Sequence, residues 1–91
     1  MNNENVLISN NIRRLRFFAN EMTQQELSDK TGVTRQTIVA IENGKYIPSL
    51  ELSFRIAYIF NVSLSDVFIY NPEYDPVLKK LKEKKSKNEK Q

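Results

Sequence analysis

The stretch from Thr23 to Gly44 constrains the fold of this 91-residue chain more than any other segment. Thr23 and Glu26 have the spacing of a capping box, in which each side chain accepts a hydrogen bond from the backbone amide of the other residue. Gly32 can adopt the left-handed conformation that ends a helix. These residues predict a first short helix between Thr23 and Gly32.

A second helix follows directly on the first. Thr34 can cap a helix from Arg35 to about Glu42, which Asn43 and Gly44 would end. The apolar residues that two crossed helices would share are Leu27, Val33, Ile38 and Ile41. Residues 23–44 therefore predict a helix-turn-helix, whose second helix is shaped for the major groove of DNA.

Composition excludes several classes of function. The chain has no cysteine and no histidine, which removes disulfides, Cys/His zinc sites and imidazole catalysis. It also lacks a catalytic constellation and a phosphate-cradling loop, so we expect no enzyme, no cofactor and no small-molecule ligand. No apolar run approaches the roughly 20 residues of a membrane span, and the Asn-rich start lacks the features of a signal peptide. We expect a cytoplasmic protein without a membrane partner.

The positive charge of the chain lies at its C-terminal end. Residues 1–70 contain seven Lys and Arg against seven Asp and Glu, whereas residues 71–91 contain seven against four. We therefore predict a DNA-binding domain over residues 1–70 and a lysine-rich tail over residues 71–91. Asp75 and Pro76 form a helix start, and we expect helix to about Lys85 and disorder beyond it. The tail either solubilises the protein or adds salt-sensitive, non-specific DNA affinity.

Several short motifs resemble the Cro/cI-type (XRE) helix-turn-helix proteins, the class that includes the lambdoid phage repressors. The motifs are Leu15-Arg16, Thr23-Gln24-Gln25-Glu26-Leu27, Gly32-Val33-Thr34-Arg35-Gln36-Thr37-Ile38, Ile41-Glu42-Asn43-Gly44-Lys45 and Pro48-Ser49-Leu50-Glu51-Leu52. The resemblance covers about Asn11 to Phe68 and is strongest to short, single-domain regulators. The interval from Arg16 to Gln24 is one residue longer than in the common pattern. The resemblance implies an all-α, five-helix, lambda-repressor-like domain.

Three further helices are expected around the motif. The first begins at Asn10 or Asn11, and we expect its inner face to carry Ile12, Leu15, Phe18 and Ala19. The fourth runs from Leu50 to about Phe60, and Ser63 caps a short fifth helix that reaches Phe68. Outside the helices, the apolar runs Val6-Leu7-Ile8 and Phe68-Ile69-Tyr70 predict a small two-stranded antiparallel sheet.

The fourth helix has more apolar residues than one buried face requires. We expect its core-facing set to be Leu50, Ser53, Ile56, Ala57 and Phe60. The surplus consists of Leu52, Phe54, Tyr58 and Ile59. Either both chain ends cover this surplus, or it forms a self-association surface. The resemblance favours a symmetric dimer, and we expect Tyr58, Phe68, Ile69 and Tyr70 at its interface.

The second helix of the motif carries the expected base contacts. An arginine can bind guanine O6 and N7 through two hydrogen bonds, and a glutamine can bind adenine N6 and N7 in the same way. Arg35 and Gln36 stand at the start of the helix, and Ala40 could touch a thymine methyl group. The alternative is that Arg35 and Gln36 are ordinary solvated residues of a helix start.

Flanking residues are expected to contact the DNA backbone. They are Gln24, Thr34, Thr37, Asn43, Lys45 and Tyr46. Such contacts set the register of the protein on DNA rather than the sequence that it prefers. The alternatives are a capping role for Thr34, helix termination for Asn43 and packing for Tyr46. The resemblance also implies a structural ion pair between Arg16 and Glu42, which would set the angle of the recognition helix.

The resulting hypothesis is a transcriptional regulator, with repression preferred over activation, that binds a palindromic operator in double-stranded DNA as a homodimer. One rival is an antitoxin-type autoregulator whose tail binds a partner protein. Another is a protein-interaction module that has lost DNA binding. The presence of Gln24, Arg35, Gln36 and Lys45 argues against that loss.

Overall fold

The computed structural model describes the backbone of residues 6–89 and the side chains of residues 6–84. It contains six α-helices and a two-stranded sheet over that range, so the predicted fold class is confirmed: five helices belong to the domain, and the sixth lies in the tail, where a helix was expected. The elements are β1 (Ile8–Asn10), α1 (Ile12–Phe18), α2 (Gln24–Thr31), α3 (Arg35–Glu42), α4 (Leu50–Phe60), α5 (Leu64–Val67), β2 (Phe68–Tyr70), a 3-10 turn (Pro72–Tyr74) and α6 (Pro76–Glu89).

The helices of the motif begin where the sequence predicts. Thr23 Oγ1 accepts the amide of Glu26 at 3.0 Å, and Glu26 Oε1 accepts the amide of Thr23 at 2.8 Å. Thr34 Oγ1 accepts the amide of Thr37 at 3.1 Å. These bonds satisfy amides that have no partner inside the helix, and each such cap is worth about 1 kcal/mol. The predicted capping box and both helix starts are confirmed.

One core lies between α1, α2, α3, α4 and α5. Its buried members are Ile12, Leu27, Ile38, Ile41, Leu52, Ile56, Ala57 and Val67. Fully burying an aliphatic side chain of this size contributes about 1.5–3 kcal/mol. The helix α6 adds nothing to this core, because Val77 and Leu81 are exposed.

Two of the predicted inner positions are wrong. Leu50 is 66% exposed, and Leu52 takes its place in the core at 6% exposure. The buried face of α4 therefore runs through positions 52, 53, 56 and 57. Phe18 is 71% exposed because it lies about 240° around the helix from Ile12, at roughly 100° per residue.

The segments that flank the helices of the domain form the predicted antiparallel sheet, in which the first strand is displaced by two residues. Ile8 pairs with Tyr70, Ser9 with Ile69 and Asn10 with Phe68. Strand β2 is as predicted and takes Phe68 from the predicted fifth helix, whereas β1 begins two residues later than Val6. The shift follows from α1, because the Asn11 amide at its start donates to the carbonyl of Val67 at 2.8 Å and sets the register.

The tail begins with the predicted helix start. Asp75 Oδ1 accepts the amide of Val77 at 2.9 Å, and α6 continues to Glu89, beyond the expected end at Lys85. Residues 90 and 91, which belong to the same predicted tail, lie outside the described range. None of the helices in residues 6–89 is long and apolar enough to cross a bilayer.

Candidate nucleic-acid interface

The recognition helix α3 separates a buried face from an exposed one. Ile38 and Ile41 are buried against the other helices. Arg35 and Gln36 occupy the first turn, directly after the Thr34 cap, and both side chains are exposed. Ala40 lies one turn further along and is half-buried. Two long hydrogen-bonding side chains are therefore exposed at the start of a helix whose opposite face packs against the core.

The end of α3 places Lys45 at the surface. Gly44 adopts the left-handed conformation with φ 73°, which a residue with a side chain rarely tolerates. The amide of Lys45 donates to the carbonyl of Ala40 at 2.9 Å, and the amide of Gly44 donates to the carbonyl of Ile41 at 3.0 Å. These bonds form a Schellman motif. Lys45, Asn43 and Tyr46 are exposed around it.

Arg16 and Glu42 are in direct contact. Arg16 Nε donates to Glu42 Oε2 at 2.7 Å, and Arg16 Nη2 donates to Glu42 Oε1 at 3.0 Å. The side chains are 15% and 7% exposed. Arg16 Nη1 also donates to the carbonyl of Met22 at 2.8 Å, so one guanidinium joins α1, the following turn and the end of α3.

Gln24 belongs to the same polar network, a role that its sequence pattern does not predict. Its Nε2 donates to Glu42 Oε1 at 3.2 Å. Gln24 was predicted only as a DNA backbone contact, and the two residues are separated by 18 positions with no pattern that links them. The bond uses one N–H of the Gln24 side-chain amide, so its second N–H and the N-terminal amides of α2 are the donors that could meet a phosphate.

Thr34 and Thr37 bond to each other as well as to the backbone. Their hydroxyl oxygens are 3.0 Å apart, while Thr34 Oγ1 also accepts the Thr37 amide. Thr34 is exposed and Thr37 is half-buried. The capping role considered for Thr34 is therefore present, on the side of α3 that also carries Arg35.

A groove of about 980 Å³ lies between α1, the start of α2 and both ends of α3. Arg13, Arg14 and Arg35 line it, and none of them has an ion pair in the part of the chain that the structure describes. Of its two carboxylates, that of Glu42 is bonded to Arg16, which leaves the groove with an excess of positive charge. The sequence favours solvated positions for Arg13 and Arg14 over phosphate contacts, because helical spacing alone does not show which face borders a groove.

The residues expected at a dimer interface differ in exposure. Tyr58 is 83% exposed on α4, and Ile69 and Tyr70 are exposed on β2. Phe68 is half-buried and packs against the core, so its ring is committed in part to the monomer.

The Tyr70 hydroxyl donates to Asp75 Oδ2 at 2.5 Å. This bond is the main cause that raises the pKa of Tyr70, with desolvation and the negative charge of Asp75 adding to it. The same bond lowers the pKa of Asp75.

The helix-turn-helix family matches residues 12–67, from the first residue of α1 to the last of α5. An uncharacterized HTH-type transcriptional regulator of Methanocaldococcus jannaschii is 56% identical over 52 residues, which cover 57% of this chain and 79% of that protein. A protein of the same description from Archaeoglobus fulgidus is 52% identical over 52 residues, covering 57% and 73%. One from Bacillus subtilis is 48% identical over 46 residues, covering 50% and 70%. The chain belongs to the XRE-type helix-turn-helix family of DNA-binding transcriptional regulators.

Proposed function

We propose that this protein is a sequence-specific transcriptional repressor that binds a palindromic operator as a homodimer. The observation that carries the proposal is the first turn of α3, where Arg35 and Gln36 are exposed on a helix whose other face is buried. Occupation of the operator is enough to block transcription, so repression needs no further domain.

The base contacts belong to the exposed face of α3. Arg35 donates two hydrogen bonds to guanine O6 and N7, and Gln36 forms a matching pair with adenine N6 and N7. Ala40 offers a methyl group to thymine. Each bidentate pair is worth about 1–3 kcal/mol of discrimination against the wrong base.

The backbone contacts surround that face. Lys45 and Asn43 follow α3, and Tyr46 stands beside them on the surface. Thr34 and Thr37 flank the start of α3, and Gln24 heads α2, whose N-terminus favours a phosphate oxygen. Arg13 and Arg14 extend the positive surface along the groove. Such contacts supply affinity that depends on salt and not on sequence.

The dimer would form through Tyr58, Ile69 and Tyr70, with the exposed part of Phe68. These side chains present apolar surface that the monomer does not cover. A two-fold axis through such an interface matches a palindrome, and the half-site centres would lie about 34 Å apart or at a multiple of that distance.

Substitution of Arg35 and Lys45 tests the proposal. A duplex selected by the wild-type protein from a random-sequence pool serves as the operator, and a scrambled duplex of equal length is the reference. We expect Arg35→Ala to lose about 1–3 kcal/mol per half-site on the operator and much less on the scrambled duplex. Lys45→Ala should weaken both alike and make the salt dependence shallower by about one unit per contact.

Circular dichroism shows whether each variant is folded. Unchanged operator binding by folded Arg35→Ala and Gln36→Ala proteins would contradict the proposal and leave the protein-interaction module as the better reading.

An antitoxin-type autoregulator is a second candidate, and α6 is the observation that favours it. This helix presents Val77, Leu78 and Leu81 to solvent beside several lysines. A partner protein captured by α6 would cover these residues while the domain remains on DNA. Co-expression with the products of neighbouring genes, followed by affinity purification of the full chain, tests this role. A Leu81→Asp variant that still co-purifies the same partner would argue against it.

A further inference from the structure

The side chain of Asn10 joins two helices from the end of β1. Its Oδ1 accepts the amide of Ile12, the first residue of α1, at 3.1 Å. Its Nδ2 donates to the carbonyl of Ile41, in the last turn of α3, at 3.0 Å. The backbone of Asn10 is at the same time paired with Phe68 in the sheet. One half-buried amide therefore connects the sheet, α1 and the recognition helix.

The Ile41 carbonyl is available for this bond because of the way α3 ends. The amide that would normally reach it, that of Lys45, donates to Ala40 instead. Ile41 receives the amide of Gly44 at 3.0 Å, and the Asn10 side chain supplies a second donor. A carbonyl oxygen has two lone pairs, so both are used. The bond from Asn10 comes from outside the helix and resists its displacement.

A second attachment holds the neighbouring residue from another side. Glu42 is bonded to Arg16 and Gln24, which belong to α1 and α2. One attachment restrains the position of a helix end, whereas two attachments on consecutive residues also restrain its direction. At 1.5 Å per residue the eight residues of α3 span about 12 Å, so a tilt of about 5° at the Ile41 end moves the Arg35 end by about 1 Å.

We propose that Asn10 is a positioning residue for DNA recognition, which holds the C-terminal turn of α3 so that Arg35 and Gln36 keep the geometry of their base contacts. This inference rests on the proposed function. A displacement of about 1 Å is large against the narrow distance range of a hydrogen bond. Loss of the restraint therefore weakens base contacts more than it weakens contacts to the flexible phosphate backbone.

Asn11 is a matched control. Its Nδ2 also donates to a distant carbonyl, that of Asp66, at 3.0 Å, and Asn11 as a whole is half-buried like Asn10, although this bond is more exposed. Asp66 lies in α5 and not in the recognition helix. Asn10→Asp and Asn11→Asp make the same chemical change at adjacent positions. Asn10→Asp keeps an acceptor for the Ile12 amide and replaces the donor that faces Ile41 with a second acceptor.

The test uses the full chain, a duplex selected from a random-sequence pool by the wild-type protein, and a scrambled duplex of equal length. The readout is a specificity ratio, the dissociation constant for the scrambled duplex divided by that for the selected duplex. A lower folded fraction raises both constants by the same factor and cancels in the ratio. An added negative charge weakens binding to both duplexes alike. The ratio thus reports a change in base recognition rather than in stability.

We expect the ratio to fall about three- to tenfold for Asn10→Asp, which is the equilibrium effect of roughly one hydrogen bond. The ratio for Asn11→Asp should equal that of the wild type. The pair Asn10→Ser and Asn11→Ser repeats the comparison without added charge, and it decides the result if an Asp variant does not fold. A serine hydroxyl at position 10 can still accept the Ile12 amide, but it is too short to reach Ile41.

An unchanged ratio in the Asn10 variants, or an equal fall in the Asn11 variants, overturns the inference while leaving the proposed function intact. A wild-type protein that selects no duplex from the pool overturns the proposed function and this inference together.

Discussion

The turn between α1 and α2 holds two consecutive residues in the left-handed conformation, Asn20 at φ 60° and Glu21 at φ 55°. Asparagine adopts this conformation readily, whereas a residue such as glutamate does so at a cost of about 1–2 kcal/mol. This turn lies in the interval from Arg16 to Gln24, and Glu21 is its strained residue.

Glu21→Gly should stabilise the protein by about 0.5–1 kcal/mol. Glycine removes the strain of the left-handed conformation, and this gain outweighs the greater conformational entropy that glycine gives the unfolded chain. Urea unfolding at neutral pH measures the change. Glu21→Ala is the control, since it removes the same charge from the groove but keeps the β-carbon. Equal stability of the Gly and Ala variants would show that the turn is unstrained.

At the scale of elements, the Tyr70–Asp75 bond joins the end of β2 to the start of α6. The bond holds the pKa of Asp75 below its ordinary value. The ionised Asp75 therefore stabilises the attachment of α6 above the unfolded-state pKa of about 4, and this stabilisation is lost as the pH falls through the pKa of the folded protein. The pKa of Tyr70 is raised, so its contribution is present below about pH 10 and is lost as the pH rises through the folded value.

We expect Tyr70 to ionise at a higher pH than a tyrosine side chain ordinarily does, which gives the tyrosine titration a delayed component. Absorbance of tyrosinate during an alkaline titration measures this. In Asp75→Asn the delayed component should move to lower pH, because the negative charge and the strong acceptor that raise the pKa of Tyr70 are both removed. A wild-type titration without a delayed component, or one that persists in Asp75→Asn, would contradict the role of this bond.

Local sequence patterns predicted the helix caps but not every buried position of the helices. The caps at Thr23 and Thr34 were predictable because each joins atoms three residues apart. The burial of Leu52 in place of Leu50 was not, because both positions lie near the edge of an apolar helix face. Which of them enters the core depends on the angle at which α4 packs against its neighbours.

At the scale of the whole molecule, the apolar side chains on α4 and β2 predict self-association. Sedimentation equilibrium at micromolar concentration should give twice the monomer mass of 10.7 kDa. Ile69→Asp and Tyr58→Asp should shift the protein toward the monomer, because each places a charge where an apolar contact would be desolvated. Phe18→Asp is a control, since Phe18 is also an exposed apolar residue but lies at the end of α1. A wild-type protein that stays monomeric, or a Phe18 variant that dissociates as readily, would contradict this interface.

The helix-turn-helix and the candidate reading residues were accessible from the amino-acid sequence, because capping boxes, a left-handed glycine and apolar periodicity act between residues a few positions apart. The network around α3 was not. Gln24 and Glu42 are separated by 18 positions, and Asn10 and Ile41 by 31. Such bonds exist only after the core has brought distant segments together, and their geometry depends on packing angles that no local pattern encodes.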